Sequence, residues 1–142
     1  NISKIEQIKY FNKNIFPDFN KKKPNNILFS ILELDRIVAY GGLVHIDWQH
    51  KRGEISFLVN TIYAGNKKDH NDLLPFFLVA IKNISFNILK LNKITAELYD
   101  IRPLYKKQLI KHDFKIEGIL KNHVKIKERY KDSIVFGYLN DR

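Results

Sequence analysis

The spacing of apolar positions changes several times along the chain, and each change predicts a different element. Near the start, Ile2, Ile5, Ile8 and Phe11 follow one another at three-residue steps. Such spacing places apolar side chains on one side of a helix. It predicts an amphipathic helix over residues 3–14.

A second helical segment is apolar in almost every position. Asp72 is suited to cap it, and Pro75 falls in its first turn, where a missing N–H breaks no hydrogen bond. Residues 76–89 leave almost no polar stripe, so we expect this helix to be buried on several sides.

Six further segments are rich in β-branched and aromatic residues, which favour strands. They are residues 27–34, 37–48, 54–60, 93–100, 114–125 and 130–139. Gly41 and Gly42 suggest a β-bulge in the second strand. The polar stretches 17–25 and 61–71 are predicted to be loops.

A third helix is predicted over residues 102–112, between the fourth and fifth strands. Asp100 is a plausible cap, and Pro103 suits the first turn. Asp113 ends the helix at a position where Gly is commoner, because the chain must turn sharply there.

The residues after this helix carry a family resemblance. The order strand, turn, helix, Phe114, then Glu117 and Gly118 resembles the carboxyl half of the GNAT N-acetyltransferase family, with Asp113 in place of the usual Gly. Residues 117–123 (EGILKNH), followed by residues 130–132, are similar to the branch that contains ribosomal-protein alanine acetyltransferases and nucleotide-amino-sugar N-acetyltransferases.

Two upstream segments extend the resemblance. Residues 41–46 and 52–57 resemble the third and fourth strands of that branch, so the match covers roughly residues 27–139. It implies an α/β (α+β) fold with a mixed, mostly antiparallel central sheet and helices on both faces. Compared with the family, this sequence lacks the first strand and the first helix. The length predicts a single acetyltransferase-like domain over residues 1–142. Because the first strand and helix are missing and the chain contains no Met, we expect this domain to be truncated at its N-terminus.

The resemblance also implies acetyl-CoA as co-substrate. In the family, the fourth and fifth strands diverge and the cofactor enters the gap, so the main chain of Phe57, Leu58, Val59 and Asn60 is expected to bind it. The pyrophosphate is expected near a helix N-terminus, with Lys67, Lys68, His70 and Asn71 as its ligands. This loop lacks the family's glycine pattern, which leaves open a non-catalytic GNAT-like domain.

Acetyl transfer to an amine requires one group that removes a proton and one that returns it to the thiolate. Glu54, at the start of the fourth family strand, is the candidate general base; alternatively, it pairs with Lys51 or Arg52. Tyr105 and Tyr99 are the candidate proton donors, although the family's tyrosine position corresponds to Leu109.

The acceptor is expected at the end of the third family strand. His45 and Asp47 lie there, with Trp48 as a stacking surface, and His123 projects from the final hairpin opposite. Each of these residues could instead have an ordinary structural role.

Composition narrows the function further. The chain has 142 residues with 44% apolar and 13% aromatic content, which suits one folded domain. It has no Cys, and its His residues form no metal-binding pair, so we predict neither a disulfide framework nor a metal site. No apolar run approaches about 18 residues, and a cytoplasmic protein is expected.

The net charge of +10 is spread along the chain. It is explained by a lysine-rich solvated surface or by a polyanionic ligand. The predicted reaction is acetylation of a small amine, in the first place a nucleotide-linked amino sugar for surface-glycan or flagellin glycosylation. Acetylation of a protein N-terminus is the alternative, but a basic ribosomal tail would be repelled. Nucleic-acid binding is not expected, because most aromatic residues occupy buried-looking positions. A membrane partner is not expected either, because no apolar run is long enough to span a bilayer.

Overall fold

The computed structural model describes residues 3–60 and 72–140. Six strands form one sheet in the order β1-β2-β3-β4-β6-β5. The strands are β1 (Ile27–Glu33), β2 (Arg36–Asp47), β3 (Arg52–Val59), β4 (Lys93–Tyr99), β5 (Lys115–Ile126) and β6 (Arg129–Leu139). The predicted strands are thus confirmed to within two residues at each end.

Three α-helices accompany the sheet in the part of the chain that the structure describes. Helix α1 (Lys4–Tyr10) continues through a π-helical turn (Phe11–Ile15) into a short 3-10 turn (Phe16–Asp18). Helix α2 (Leu73–Asn83) also ends in a π-helical turn (Ile84–Ile88). Helix α3 (Pro103–Lys111) is one residue shorter at each end than predicted, and Pro103 lies in its first turn, as expected. The loop expected over residues 61–71 lies outside the described residues.

All strand pairs are antiparallel except one. β3 and β4 run parallel, and helix α2 forms the crossover between them. The mixed, mostly antiparallel sheet of the predicted α/β (α+β) class is confirmed.

The hydrophobic core lies on the face of the sheet that α2 and α3 cover. On β4, the alternate residues Ile94, Ala96 and Leu98 point into this core, while Thr95, Glu97 and Tyr99 point to the opposite face. Phe114 and Phe136 are almost completely buried in it. Each buried phenylalanine contributes about 1.5–3 kcal/mol relative to an exposed one.

The expected bulge at Gly41 and Gly42 was wrong. Both glycines pair regularly with β1 and β3, and the register shifts lie between Ile31 and Leu32 and between Val44 and Asp47. The glycines serve close packing instead, since a Cβ at Gly41 would lie 2.6 Å from the carbonyl oxygen of Ser56.

Helix α2 is less buried than its composition predicts. Leu74, Phe77, Leu78 and Ile81 face the core, but Phe76 and Val79 are exposed. The expectation of burial on several sides was wrong, because only one face of the helix meets the sheet.

The predicted helix caps were also wrong in part. Asp72 occupies the N-cap position of α2 without a side-chain capping hydrogen bond, and Arg102, not Asp100, precedes α3. Asp113 adopts a positive φ of 67°, as its glycine-like position predicts. No helix in the described part of the chain has the length and apolar character needed to cross a membrane.

A buried carboxylate joins the N-terminal helical segment to the sheet. Asp18 is only 4% exposed and accepts hydrogen bonds from the main-chain N–H groups of Asn25 (3.1 Å) and Asn26 (3.0 Å). It also forms an ion pair with Lys21 at 2.8 Å. The segment that precedes β1 is therefore fixed against the end of the 3-10 turn.

Candidate active site

Strands β3 and β4 form a fork. Only three cross-strand pairs join them in the described residues, and the last of these is Glu54 with Thr95. On its other edge, β3 stays paired with β2 as far as Val59. The divergence that the sequence led us to expect is present, and within the described residues it leaves the edge of β3 without a β4 partner beyond Glu54.

The residues predicted to bind the cofactor line this open edge. The ring of Phe57 packs on the core side, 4.7 Å from the ring of Phe77, whereas Leu58 is exposed on the opposite face. The main-chain N–H of Asn60 donates to Val38 on β2 at 2.9 Å. Lys67, Lys68, His70 and Asn71 lie outside the described residues.

Glu54 lies at the vertex of the fork and contacts His45. Oε2 of Glu54 is 3.1 Å from Nδ1 of His45, and the two side chains are 34% and 78% exposed. His45 has a positive φ of 52° within the β2 bulge, which directs its side chain toward β3. The carboxylate thus accepts a hydrogen bond while remaining open to solvent.

One prediction allowed Glu54 to pair with Arg52, but Arg52 pairs with Asp47 instead. Its guanidinium lies 3.4 Å from Asp47, which also accepts hydrogen bonds from the main chain (3.0 Å) and the ring (2.9 Å) of His50. These hydrogen bonds lower the pKa of Asp47 to about 2, so this carboxylate stays ionised. His50 was not recognised from the sequence.

The polar residues around the vertex enclose a cavity of about 300 Å³. Its lining includes His45, Asp47, Arg52, Glu54 and Thr95. Trp48 has a different environment: its indole N–H donates to the carbonyl of Pro24 at 2.8 Å, and its ring packs against the core. A stacking role for Trp48 stays a prediction.

Tyr105 and Tyr99 lie on opposite faces of the sheet. Tyr105 is half-buried on α3, with its ring 6.4 Å from that of Phe57 across the fork. Burial raises the pKa of its phenol, and the nearby Arg102 partly offsets this effect. Tyr99 is 43% exposed on the face that carries Glu54, and Leu109, at the family's tyrosine position, is buried in the core.

A second carboxylate lies near the fork on the same face as Glu54. Glu97 accepts a hydrogen bond of 2.5 Å from the hydroxyl of Ser133 on β6, and its Oε1 lies 3.9 Å from Nε2 of His123. Of these residues, the sequence suggested only His123. The alternation of residues 93–99 is enough to predict that Glu97 and Thr95 share one face of the strand. It does not predict the contact of Glu97 with Ser133.

A larger, mostly aromatic and aliphatic cavity adjoins the vertex. It has a volume of about 570 Å³ and lies between α1 and the sheet, and its lining includes Tyr10, Phe11, Leu28, Tyr40, Ser56 and Leu58. Ser56 and Leu58 follow Glu54 along the same face of β3. The cavity therefore continues the polar one along this face.

A comparison with known protein families agrees with the fork. Residues 1–135 match the family model described as an acetyltransferase (GNAT) domain. The chain belongs to the GNAT family. Enzymes of this family use acetyl-CoA as the acetyl donor, and the chain is an acetyl-CoA-dependent N-acetyltransferase of the GNAT type.

Solved structures of other GNAT proteins share the fold. Spermidine N-acetyltransferase from Vibrio cholerae in complex with CoA and spermine is 22% identical, with a TM-score of 0.75; the match covers 96% of this chain and 75% of that one. The dodecameric structure of the same enzyme in an intermediate state gives 22% identity and a TM-score of 0.74, over 96% and 74% of the two chains. A search of curated proteins gives no match.

The residues of this GNAT fork fit a bound acyl-CoA. Beyond the Glu54 and Thr95 pair, the edge of β3 has main-chain groups that no β4 residue satisfies through strand pairing in the described region. Exposed main-chain groups of this kind bind an extended ligand in the manner of an added strand. The cofactor supplies a thioester carbonyl, and Glu54 lies where the two strands part. No cluster of three or more metal-binding side chains occurs in the described residues.

Proposed function

We propose that this GNAT enzyme acetylates a small aliphatic amine of the polyamine type. The observation that supports this acceptor is the pair of carboxylates, Glu54 and Glu97, on one face of the fork. Among the described residues, each has a histidine within 4.0 Å and no Lys or Arg. Such a surface attracts a cationic amine and repels a diphosphate. The related structure named above is a complex with CoA and spermine.

In the proposed reaction, Glu54 removes a proton from the acceptor ammonium, directly or through one water molecule. The N–H of His45 donates to Glu54 and keeps the carboxylate at the vertex. The freed amine forms its bond to the thioester carbon as the carbon–sulfur bond breaks, and the new amide nitrogen then loses its extra proton to solvent water.

Tyr105 donates the proton that the departing thiolate takes up. Because burial raises its pKa, the phenol stays protonated near neutral pH and can donate to the departing thiolate. Its ring lies against Phe57, on the edge of β3 that is proposed to bind the cofactor. Tyr99 is the second candidate for this role, from the opposite face of the sheet.

A nucleotide-linked amino sugar is the second candidate acceptor. The cavity of about 570 Å³ between α1 and the sheet favours it, since Tyr10, Phe11 and Tyr40 offer surfaces for a flat ring. The net charge of +10 is compatible with a diphosphate. If this acceptor is the substrate, its sugar would contact His45, Asp47, Trp48 and His123.

A panel of acceptors separates these candidates. The protein is incubated with acetyl-CoA and either spermidine, putrescine, a uridine-diphosphate amino sugar or a basic N-terminal peptide, and CoA release is measured. We expect turnover with spermidine and putrescine. Turnover confined to the amino sugar would replace the proposal by the second candidate, and the absence of turnover with every amine would refute the proposed function.

A further inference from the structure

We infer that Glu97 selects acceptors that carry a second positive charge. This inference rests on the proposed function, because it assigns a specificity role within the same site. Glu97 follows the vertex residue Thr95 by two positions, so both side chains lie on the same face of β4. Since Thr95 is the partner of Glu54, the two carboxylates lie diagonally across the fork.

The separation of these carboxylates suits a short diamine. Adjacent strands lie about 4.8 Å apart and two residues span about 6.6 Å, so the two Cα atoms are separated by about 8 Å at the vertex. The strands diverge beyond it, which increases this distance slightly. One amine can therefore reach Glu54 while a second, a few bonds away, reaches Glu97.

A buried hydroxyl fixes the position of Glu97. Ser133 is completely buried and donates to Oε1 at 2.5 Å, while the Glu97 side chain itself is 34% exposed. No hydrogen bond to Oε2 is found within residues 3–60 and 72–140. One oxygen is thus held by the sheet, and the other is left for a ligand. A hydrogen bond from an ammonium to a carboxylate is among the stronger ones in proteins.

The neighbouring cations do not satisfy this carboxylate. Lys93, on the same face of β4, forms an ion pair with Glu117 at 2.7 Å. The carboxylate of Glu117 lies over Gly137, where a Cβ atom would meet it. In the described part of the chain, the basic side chain within 4.0 Å of Glu97 is that of His123, and its distance of 3.9 Å is too long for a hydrogen bond. The site therefore retains negative charge for a second ammonium.

Putrescine and n-butylamine provide the test, because they share a carbon chain and differ in the second amine. Steady-state constants are measured for the wild type, Glu97→Gln, Ser133→Ala and Glu128→Gln, the last being a control at a carboxylate on the hairpin turn that is 90% exposed. We expect Glu97→Gln to raise KM for putrescine by about tenfold or more, with little change in kcat. Ser133→Ala should raise KM for putrescine by a smaller factor. Neither substitution should change kcat or KM for butylamine.

Binding of putrescine and butylamine, measured by calorimetry in the presence of CoA, keeps the two proposals apart. If no amine is acetylated but Glu97→Gln removes the preference for putrescine, the proposed function fails and the role of Glu97 stands. If both amines are acetylated and Glu97→Gln affects them equally or not at all, the role of Glu97 is refuted and the proposed function stands. Equal binding of both amines to the wild type would also refute that role.

Discussion

Glu54 and Thr95 form the last cross-strand pair between β3 and β4, and the strands separate beyond them. This pair places a partly exposed carboxylate at the point where the edge of β3 loses its β4 partner. A group that removes a proton and a main-chain edge that can hold an extended cofactor thus occur side by side. The arrangement follows from topology, because β3 and β4 are the only parallel neighbours among the six described strands.

Replacing the vertex carboxylate should slow acetyl transfer. Glu54→Gln keeps the size of the side chain but removes the proton acceptor, so we expect kcat to fall by about 10²- to 10⁴-fold. Binding of CoA, measured by calorimetry, should be unchanged. Glu33→Gln, at an exposed position on the edge strand β1, is the matched control and should keep wild-type activity. A Glu54→Gln enzyme with wild-type kcat would show that another group removes the proton.

Tyr105→Phe should lower kcat without lowering stability. The variant loses the hydroxyl but keeps the ring that packs near Phe57. Because burial raises the pKa of Tyr105, wild-type kcat should decline on the alkaline side only above about pH 10. The variant should lack this decline. Tyr99→Phe is the paired comparison, and a larger loss in Tyr99→Phe would assign the donor to the other face.

Asp18 should make folding stability depend on acidic pH. Hydrogen bonding from Lys21 and Asn26 holds the pKa of Asp18 below its usual value, despite the opposing effect of burial. A group with a lowered folded-state pKa stabilises the fold above its unfolded pKa, near 3.8, and this stabilisation is lost as the pH falls through the folded-state value.

Urea unfolding of Asp18→Ala tests this role of Asp18. The variant leaves the N–H groups of Asn25 and Asn26 without their acceptor, so we expect a loss of about 2 kcal/mol in the free energy of unfolding at pH 7. The difference from wild type should shrink below pH 4. A difference that is independent of pH would contradict the role of the ionised carboxylate.

Two glycines should respond differently to the same substitution. Gly41→Ala places a Cβ 2.6 Å from the carbonyl oxygen of Ser56 and 2.8 Å from the ring of Phe77, so it should destabilise the sheet by about 1–3 kcal/mol. Gly118→Ala meets no atom within 4 Å and should be close to neutral. The melting temperatures of Gly41→Ala and Gly118→Ala are measured by thermal unfolding. Equal melting temperatures would contradict the packing role of Gly41.

Local patterns were sufficient for most of the fold. The alternation of Ile94, Ala96 and Leu98 with polar residues located β4, and Pro103 and Asp113 marked the ends of α3. These features depend on backbone preferences within a few residues. The exposed face of α2 could not be predicted, because its composition does not reveal which side meets the sheet.

Several residues of the candidate site were predictable one by one, but their contacts across strands were not. Glu54 and the β3 edge followed from the family resemblance. The contact of Glu97 with Ser133 joins residues 36 positions apart and depends on the register of β4 and β6. The bulge that turns His45 toward Glu54 likewise depends on pairing across strands, which short-range spacing does not specify.

The fork as a cofactor site is tested most directly by amide hydrogen exchange with and without CoA. We predict slower exchange at main-chain amides of residues 55–59 and 96–99 when CoA is bound. The outer edge of β1, which is also unpaired in the described sheet, serves as the internal control and should exchange at the same rate in both states. Unchanged exchange at residues 55–59 with saturating CoA would contradict cofactor binding between β3 and β4.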